Sequence, residues 1–163
     1  MCKLSSLNSK QRLFIVGTLV VASVIASFTF PKFFVISLTG SLSKRLYWLD
    51  RDVTRVKRGD YVLFTHSNVA TQFKEQTMVK LVRCDEGDDL EVDKNKVLTC
   101  NGEYIGRAKD SALNGTRLQN FVWNGKVPAG MFLPMGEHKD SYDGRYYGFI
   151  AKAKVLKKAH PVF

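Results

Sequence analysis

The sequence predicts a mainly β protein, an antiparallel β-sheet domain carried behind one N-terminal transmembrane helix. Two observations predict it. Residues 13–30 form an uncharged apolar run of eighteen residues, enough to cover about 27 Å of hydrocarbon as a helix. Beyond Pro31 the apolar residues come in short runs rich in Val, Phe, Tyr and Leu. These are separated by Asn101-Gly102, Asn114-Gly115, Asn124-Gly125 and Asp143-Gly144, dipeptides that accept positive φ and suit tight hairpin turns.

Taken in order, Lys3, Lys10 and Arg12 precede the apolar run and no acidic residue occurs before Asp50. The positive-inside rule therefore assigns 1–12 to a cytoplasmic tail, 13–31 to a transmembrane anchor and 32–163 to an extracytoplasmic β-rich domain. A cleaved secretory signal is the rival reading, since small residues from Ala22 to Ser27 offer a cleavage site, but the run exceeds the usual apolar stretch of roughly 7–15 residues. A buried core helix is disfavoured because no polar face exists. Strands are expected over 61–65, 77–84, 97–100, 121–123, 131–135 and 146–155. The polar stretch 107–120 lacks a pattern and reads as an insertion or long loop. Asn114-Gly115-Thr116 also fits a glycosylation sequon, for which a turn is the simpler explanation. Cys84 and Cys100 flank a predicted hairpin on the outer side, where an oxidising compartment allows them to join; spacing alone does not supply the geometry. Cys2 is expected to be cytoplasmic and reduced.

A chain of 163 residues has room for one domain and an appendage. With 45% hydrophobic and 25% charged residues, disorder and collagen-like repeats are excluded. Three cysteines without a Cys-x-x-Cys pair offer neither a disulfide scaffold nor a zinc site, so no metal or cofactor is expected. The net charge of +10 asks for an anionic partner, and its distribution chooses between them. Residues 1–31 hold three positive charges and no negative ones, 32–58 seven against two, 59–151 eleven against thirteen, and 152–163 four lysines. The excess flanks the apolar segment and the C-terminus, which favours anionic lipid headgroups over nucleic acid.

Three features offer chemistry. Ser37-Leu38-Thr39-Gly40-Ser41-Leu42-Ser43 is hydroxyl-rich around one glycine, a setting that can expose a serine Oγ, but Ser41 alone is an ordinary turn residue without a base. In Met78-Val79-Lys80-Leu81-Val82-Arg83-Cys84, alternation sets Lys80 among apolar neighbours. Such a lysine ordinarily snorkels from an edge strand; buried instead, its charged form is disfavoured and the neutral amine becomes a general base. The third is 136–148, a polar segment between two apolar runs. There Asp143 and Arg145 can pair and Ser141 can aim the Lys80 amine, although a solvated hairpin also explains it.

Jointly these segments resemble the type I signal peptidase (leader peptidase) family of membrane-anchored Ser–Lys endopeptidases, and within it the conjugative-transfer, TraF-type branch. Thr39-Gly40-Ser41-Leu42-Ser43-Lys44-Arg45-Leu46-Tyr47 is similar to the branch's Thr-x-Ser-x-Pro-x-Gly-Leu-Tyr, Arg58-Gly59-Asp60-Tyr61-Val62 to its strand entry, Val79-Lys80-Leu81-Val82 with Glu86-Gly87-Asp88 to its lysine box, and Tyr142-Asp143-Gly144-Arg145 to its last box. The resemblance implies Ser41 as nucleophile, Lys80 as general base, the Thr39 hydroxyl and Ser41 backbone N–H as oxyanion hole, and Ser141, Asp143 and Arg145 in support. It implies a signal-peptidase-like β fold with the catalytic domain in the periplasm, anchored in a bacterial inner membrane. Its partners would be a pilin precursor or another signal-peptide-bearing membrane substrate, cut after small residues by hydrolysis or by cyclisation. The departures are Ser43 for proline, Arg45 for glycine, Leu81 for arginine, Glu137-His138 for Asp-Asn and Gly144 for serine. Two rival readings stand beside it: a serine hydrolase using His66, His138 or His160, and a non-catalytic membrane-anchored β module acting as scaffold in a transfer or secretion complex.

Overall fold

The structure, a computed structural model, describes residues 8–67 and 74–162; Cys2 and Lys3 of the expected tail lie outside them. The chain divides into two compact units, Met1–Phe34 and Val35–Phe163. The first is a helix, α1 (Ser9–Phe33), which begins four residues before the apolar run. The reason is local. Asn8 Oδ1 accepts the Gln11 N–H at 2.9 Å and Gln11 Oε1 accepts the Asn8 N–H at 3.0 Å, a capping box that satisfies two otherwise orphaned donors. Lys10 and Arg12 therefore sit in the helix and not in an irregular tail. None of α1 is buried, which removes the core-helix reading, and its length and composition suit a membrane crossing.

The second unit is built of antiparallel strands. The larger sheet contains β1 (Phe34–Ile36), β2 (Leu46–Asp50), β3 (Tyr61–His66), β4 (Gln76–Asp85), β9 (Met131–Met135), β10 (Ile150–Ala151) and β11 (Val155–Pro161) in the order β1-β2-β11-β3-β4-β9-β10. The smaller holds β5 (Asp89–Val92), β6 (Val97–Cys100), β7 (Glu103–Arg107) and β8 (Asn124–Lys126) in the order β7-β6-β5-β8. Asn101-Gly102 forms the expected hairpin turn, both residues at positive φ (52° and 78°). Asn114-Gly115 turns within a loop closed by a bridge between Ser111 and Arg117, in the stretch expected to be a long loop.

Three expectations are corrected. Residues 121–123 form no strand; pairing moves onto β8, where Asn124 and Gly125 sit opposite Glu91 and Leu90 instead of turning. Phe121 and Trp123 pack with Phe149, so their aromatic side chains serve partial burial at the core's edge. The span 146–155 is not one strand. Asp143 caps a short helix, α2 (Gly144–Tyr147), and β10, a 3₁₀ turn over Lys152–Lys154 and β11 follow.

Tyr47, Phe64, Phe132 and Leu133 are fully buried; Leu133 packs against smaller-sheet residues such as Leu90 and Leu98, while Phe64 with Phe132, and Tyr47, sit in two further clusters of the larger sheet. Cys84 on β4 and Cys100 on β6 form a disulfide with Cα atoms 5.7 Å apart, tying the two sheets together. The lysine strand β4 lies between β3 and β9, with Lys80 opposite Val62. Both its edges are occupied, so Lys80 cannot snorkel from an edge as an isolated reading of its strand would have it.

Candidate active site

The loop carrying Ser41 is pinned from both sides. Leu42 is buried against Tyr47, Leu49, Leu63 and Ala159, which anchors the chain immediately after the serine. Ser41 O accepts the backbone N–H groups of Glu137 (2.8 Å) and His138 (3.1 Å), and the Tyr47 hydroxyl donates to Lys44 O at 3.1 Å. The Thr39 hydroxyl donates to Ser41 Oγ at 3.3 Å.

Lys80 is 5% exposed, and its Nζ donates to Ser141 Oγ at 2.7 Å. Burial pulls its amine below the ordinary lysine range; Asp143 opposes that shift and Arg145 adds to it. Ser41, Thr39 and Lys80 line one cleft of about 530 Å³, walled by Val35, Leu38, Leu63 and Val79 with Tyr142. Lys80 Nζ is held by Ser141 and Ser41 Oγ by Thr39, so the two meet across the cleft and not in a direct hydrogen bond.

The segment after β9 is organised by one buried ion pair. Asp143 is fully buried and Arg145 is 3% exposed. Arg145 Nε donates to Asp143 Oδ1 at 2.8 Å and Nη2 to Oδ2 at 2.7 Å. The rest of the guanidinium serves loop carbonyls: Nη2 donates to His138 O (2.9 Å) and Ser141 O (3.1 Å), Nη1 to Lys139 O (3.2 Å). Asp143 Oδ2 also accepts the Gly136 N–H at 2.7 Å. A buried pair with its remaining donors satisfied fixes conformation where an unpaired charge would unfold it. The conformation fixed here is that of the loop presenting Ser141 to Lys80.

Two glycines of this segment have no room for a side chain. A Cβ on Gly136 would lie 2.2 Å from Ser141 Oγ and 2.9 Å from Ser41 O, and one on Gly144 2.6 Å from Pro134 O. Gly144 in place of a serine is thus matched to its packing on β9. Glu137 is the residue whose role the sequence did not disclose. Its carboxylate accepts the Ser43 N–H at 2.6 Å and the Tyr61 hydroxyl at 3.0 Å, while its own N–H holds Ser41 O.

The structure thus brings Thr39, Ser41, Lys80, Ser141, Asp143 and Arg145 into one neighbourhood. No histidine lines the cleft. The two ring nitrogens of His66 are buried without a hydrogen-bond partner among the described residues, its ring 4.4 Å from Tyr147. His138 faces Asp140 at 3.8 Å, and His160 stacks near Trp48.

A family profile described as "Signal peptidase, peptidase S26" matches residues 9–163. Among solved structures the chain is similar to a signal peptidase I from Enterococcus faecalis V583, at 23% identity and a TM-score of 0.41, over 63% of this chain and 95% of that one. The comparison with curated proteins gives no match. Because the match spans nearly the whole chain, from the first turn of α1 past both cleft-forming boxes, the chain belongs to the S26 signal peptidase family.

Proposed function

We propose that this chain is a membrane-anchored endopeptidase in which Ser41 and Lys80 form a catalytic dyad, and that it matures a pilin precursor of a conjugation system. Family membership carries the coarser statement, a serine peptidase acting on signal peptides. The observation that carries the dyad is the burial of Lys80 on a central strand, its Nζ aimed by Ser141 into the cleft that Ser41 lines. Depressed basicity shifts the amine toward the neutral form that a general base requires.

Neutral Lys80 takes the proton of Ser41 Oγ as that oxygen attacks the scissile carbonyl, giving an acyl-enzyme. The Ser41 N–H and the Thr39 hydroxyl face the developing oxyanion; rotating from its present contact with Ser41 Oγ, Thr39 can donate to it. Lys80 returns the proton to the leaving amine. Water then releases an acid, or an amine of the same substrate closes a ring. Catalytic hydrogen bonds are often long before substrate binds, and the separate holding of Ser41 by Thr39 and Lys80 by Ser141 fits that state. The apolar cleft walls suit small residues on the acyl side. The helix α1 and the excess of basic residues beside it support anchoring in a bacterial inner membrane with the β unit on the periplasmic side.

The test is incubation of the wild type, Ser41→Ala and Lys80→Ala with the pilin precursor, followed by intact-mass measurement. Cleavage only by the wild type is expected, and hydrolysed and cyclised products differ by one water. Undiminished cleavage by Ser41→Ala would overturn the dyad, and function without cleavage would leave the scaffold reading.

A further inference from the structure

The Ser41–Lys80 cleft is not the most capacious hollow. A groove of about 1090 Å³ lies along the turn before β6, β7 and the following loop, reaching Gly136 and Glu137 beside the Ser41 loop. Besides Arg145 it is lined by Arg83, Lys94, Lys96, Arg107, Lys109 and Lys139, against only Asp110 and Glu137. Residues 59–151 as a whole are slightly acidic, eleven positive charges against thirteen negative. Seven of those eleven cations and two of those thirteen anions line this one groove, so its charge is a local concentration and not a reflection of composition.

The cations are not all spent on internal partners. Lys96 pairs with Asp110, and Lys109 with Asp140 just outside the groove. Arg83 is the extra residue of a β-bulge, where Val82 and Cys84 face Pro134 and Leu133 in succession. Its Nε is buried with no hydrogen-bond partner among the described residues.

The groove also connects to the cleft. An apolar pocket of about 300 Å³ shares Tyr142 with the cleft and Lys109, Ser111, Ala112 and Leu113 with the groove. Tyr142 stacks on Tyr146 at 5.3 Å, and Lys109 N accepts its place through the Tyr146 hydroxyl, to which it donates at 3.2 Å. Leu113 is 86% exposed at the shared rim. Cleft, apolar pocket and basic groove therefore form one track.

We propose that this track binds the substrate polypeptide beyond the scissile bond, an apolar residue resting beside Tyr142 and Leu113 and an acidic stretch lying in the basic groove. The inference rests on the peptidase reading. It assigns the groove to the released part because the segment before the cut is an apolar signal sequence, which has nothing to offer a groove with cationic residues along its length. Charge pairing of this kind sets selectivity and encounter rate and weakens with salt.

The test uses the full chain in detergent with the Ser41→Ala substitution, so that binding is read without turnover. Fluorescein-labelled peptides carry a small-x-small cleavage sequence followed by Leu and then four Glu, four Gln or four Lys, and anisotropy reports affinity. The Glu peptide should bind about tenfold tighter than the Gln peptide at low salt. Lys94→Glu with Arg107→Glu, both exposed and outside the Asp143–Arg145 brace, should abolish that preference and leave Gln-peptide affinity unchanged. Equal affinity for Glu and Lys peptides, or an equal loss on the Gln peptide, overturns the proposal. Failure of the dyad itself is read separately, by cleavage of the Gln peptide in Ser41→Ala protein.

Discussion

The Glu137 carboxylate accepts the Ser43 N–H at 2.6 Å across 94 positions of sequence. Each residue departs from the signal peptidase pattern that the boxes resemble, Ser43 where a proline is expected and Glu137 where an aspartate is. The departures answer one another, because a proline has no N–H to give. Ser43→Pro and Glu137→Ala should each lower kcat about tenfold, the scale of a lost hydrogen bond to a charged group. The double variant should be no worse than either single one, a non-additivity that a double-mutant cycle on kcat detects.

Glu137 also sets an acid limit. Burial raises its pKa, but the Ser43 and Tyr61 hydrogen bonds and nearby Arg83 outweigh it and hold the carboxyl below its ordinary value. A depressed carboxylate contributes stability above its unfolded pKa, and this is lost as pH falls through the folded one. Wild-type stability should therefore fall below about pH 4 more steeply than that of Glu137→Gln, as thermal melts across that range would record.

Lys80 has the opposite consequence for stability. Its folded pKa lies below its unfolded value, so the folded state resists the proton and folding is penalised at neutral pH, the penalty fading as pH rises toward about 10.5. Lys80→Met should abolish cleavage yet melt no lower than the wild type at pH 7, because a buried amine is replaced by a chain of similar volume. A clearly lower melting temperature would contradict a desolvated base. The wild-type rate should in turn rise through mildly alkaline pH as the amine loses its proton.

Gly136→Ala should cost at least about a hundredfold in kcat, since the methyl must displace Ser141, which aims Lys80, or the Ser41 carbonyl. Gly144→Ser, although it restores the residue of the family pattern, should destabilise the protein by about 1–3 kcal/mol through its clash with Pro134 O. Denaturant melts of both variants separate the local effect from the global one.

Replacing Cys84 and Cys100 together by Ser should cost about 3 kcal/mol, the value for closing a loop of this length. The loss should appear as a lower melting temperature that reductant reproduces in the wild type and leaves unchanged in the variant.

By itself the sequence determined what depends on neighbours in the chain. An uncharged run of eighteen residues is long enough for a membrane whatever it packs against, and Asn101-Gly102 turns because its own backbone tolerates positive φ. The order of the serine, lysine and Asp143–Arg145 boxes was legible for the same reason. Only the tertiary structure decided what depends on partners far along the chain. Alternation could not tell whether β4 is an edge or a centre, and so whether Lys80 is a solvated cation or a desolvated amine. Composition gave residues 121–123 to a strand, while the hydrogen bonds of β5 went to Asn124–Lys126. The pairing of Ser43 with Glu137 and the cation-lined groove left no local mark at all, because a hydrogen bond or a concentration of charge belongs to positions that the fold alone makes adjacent.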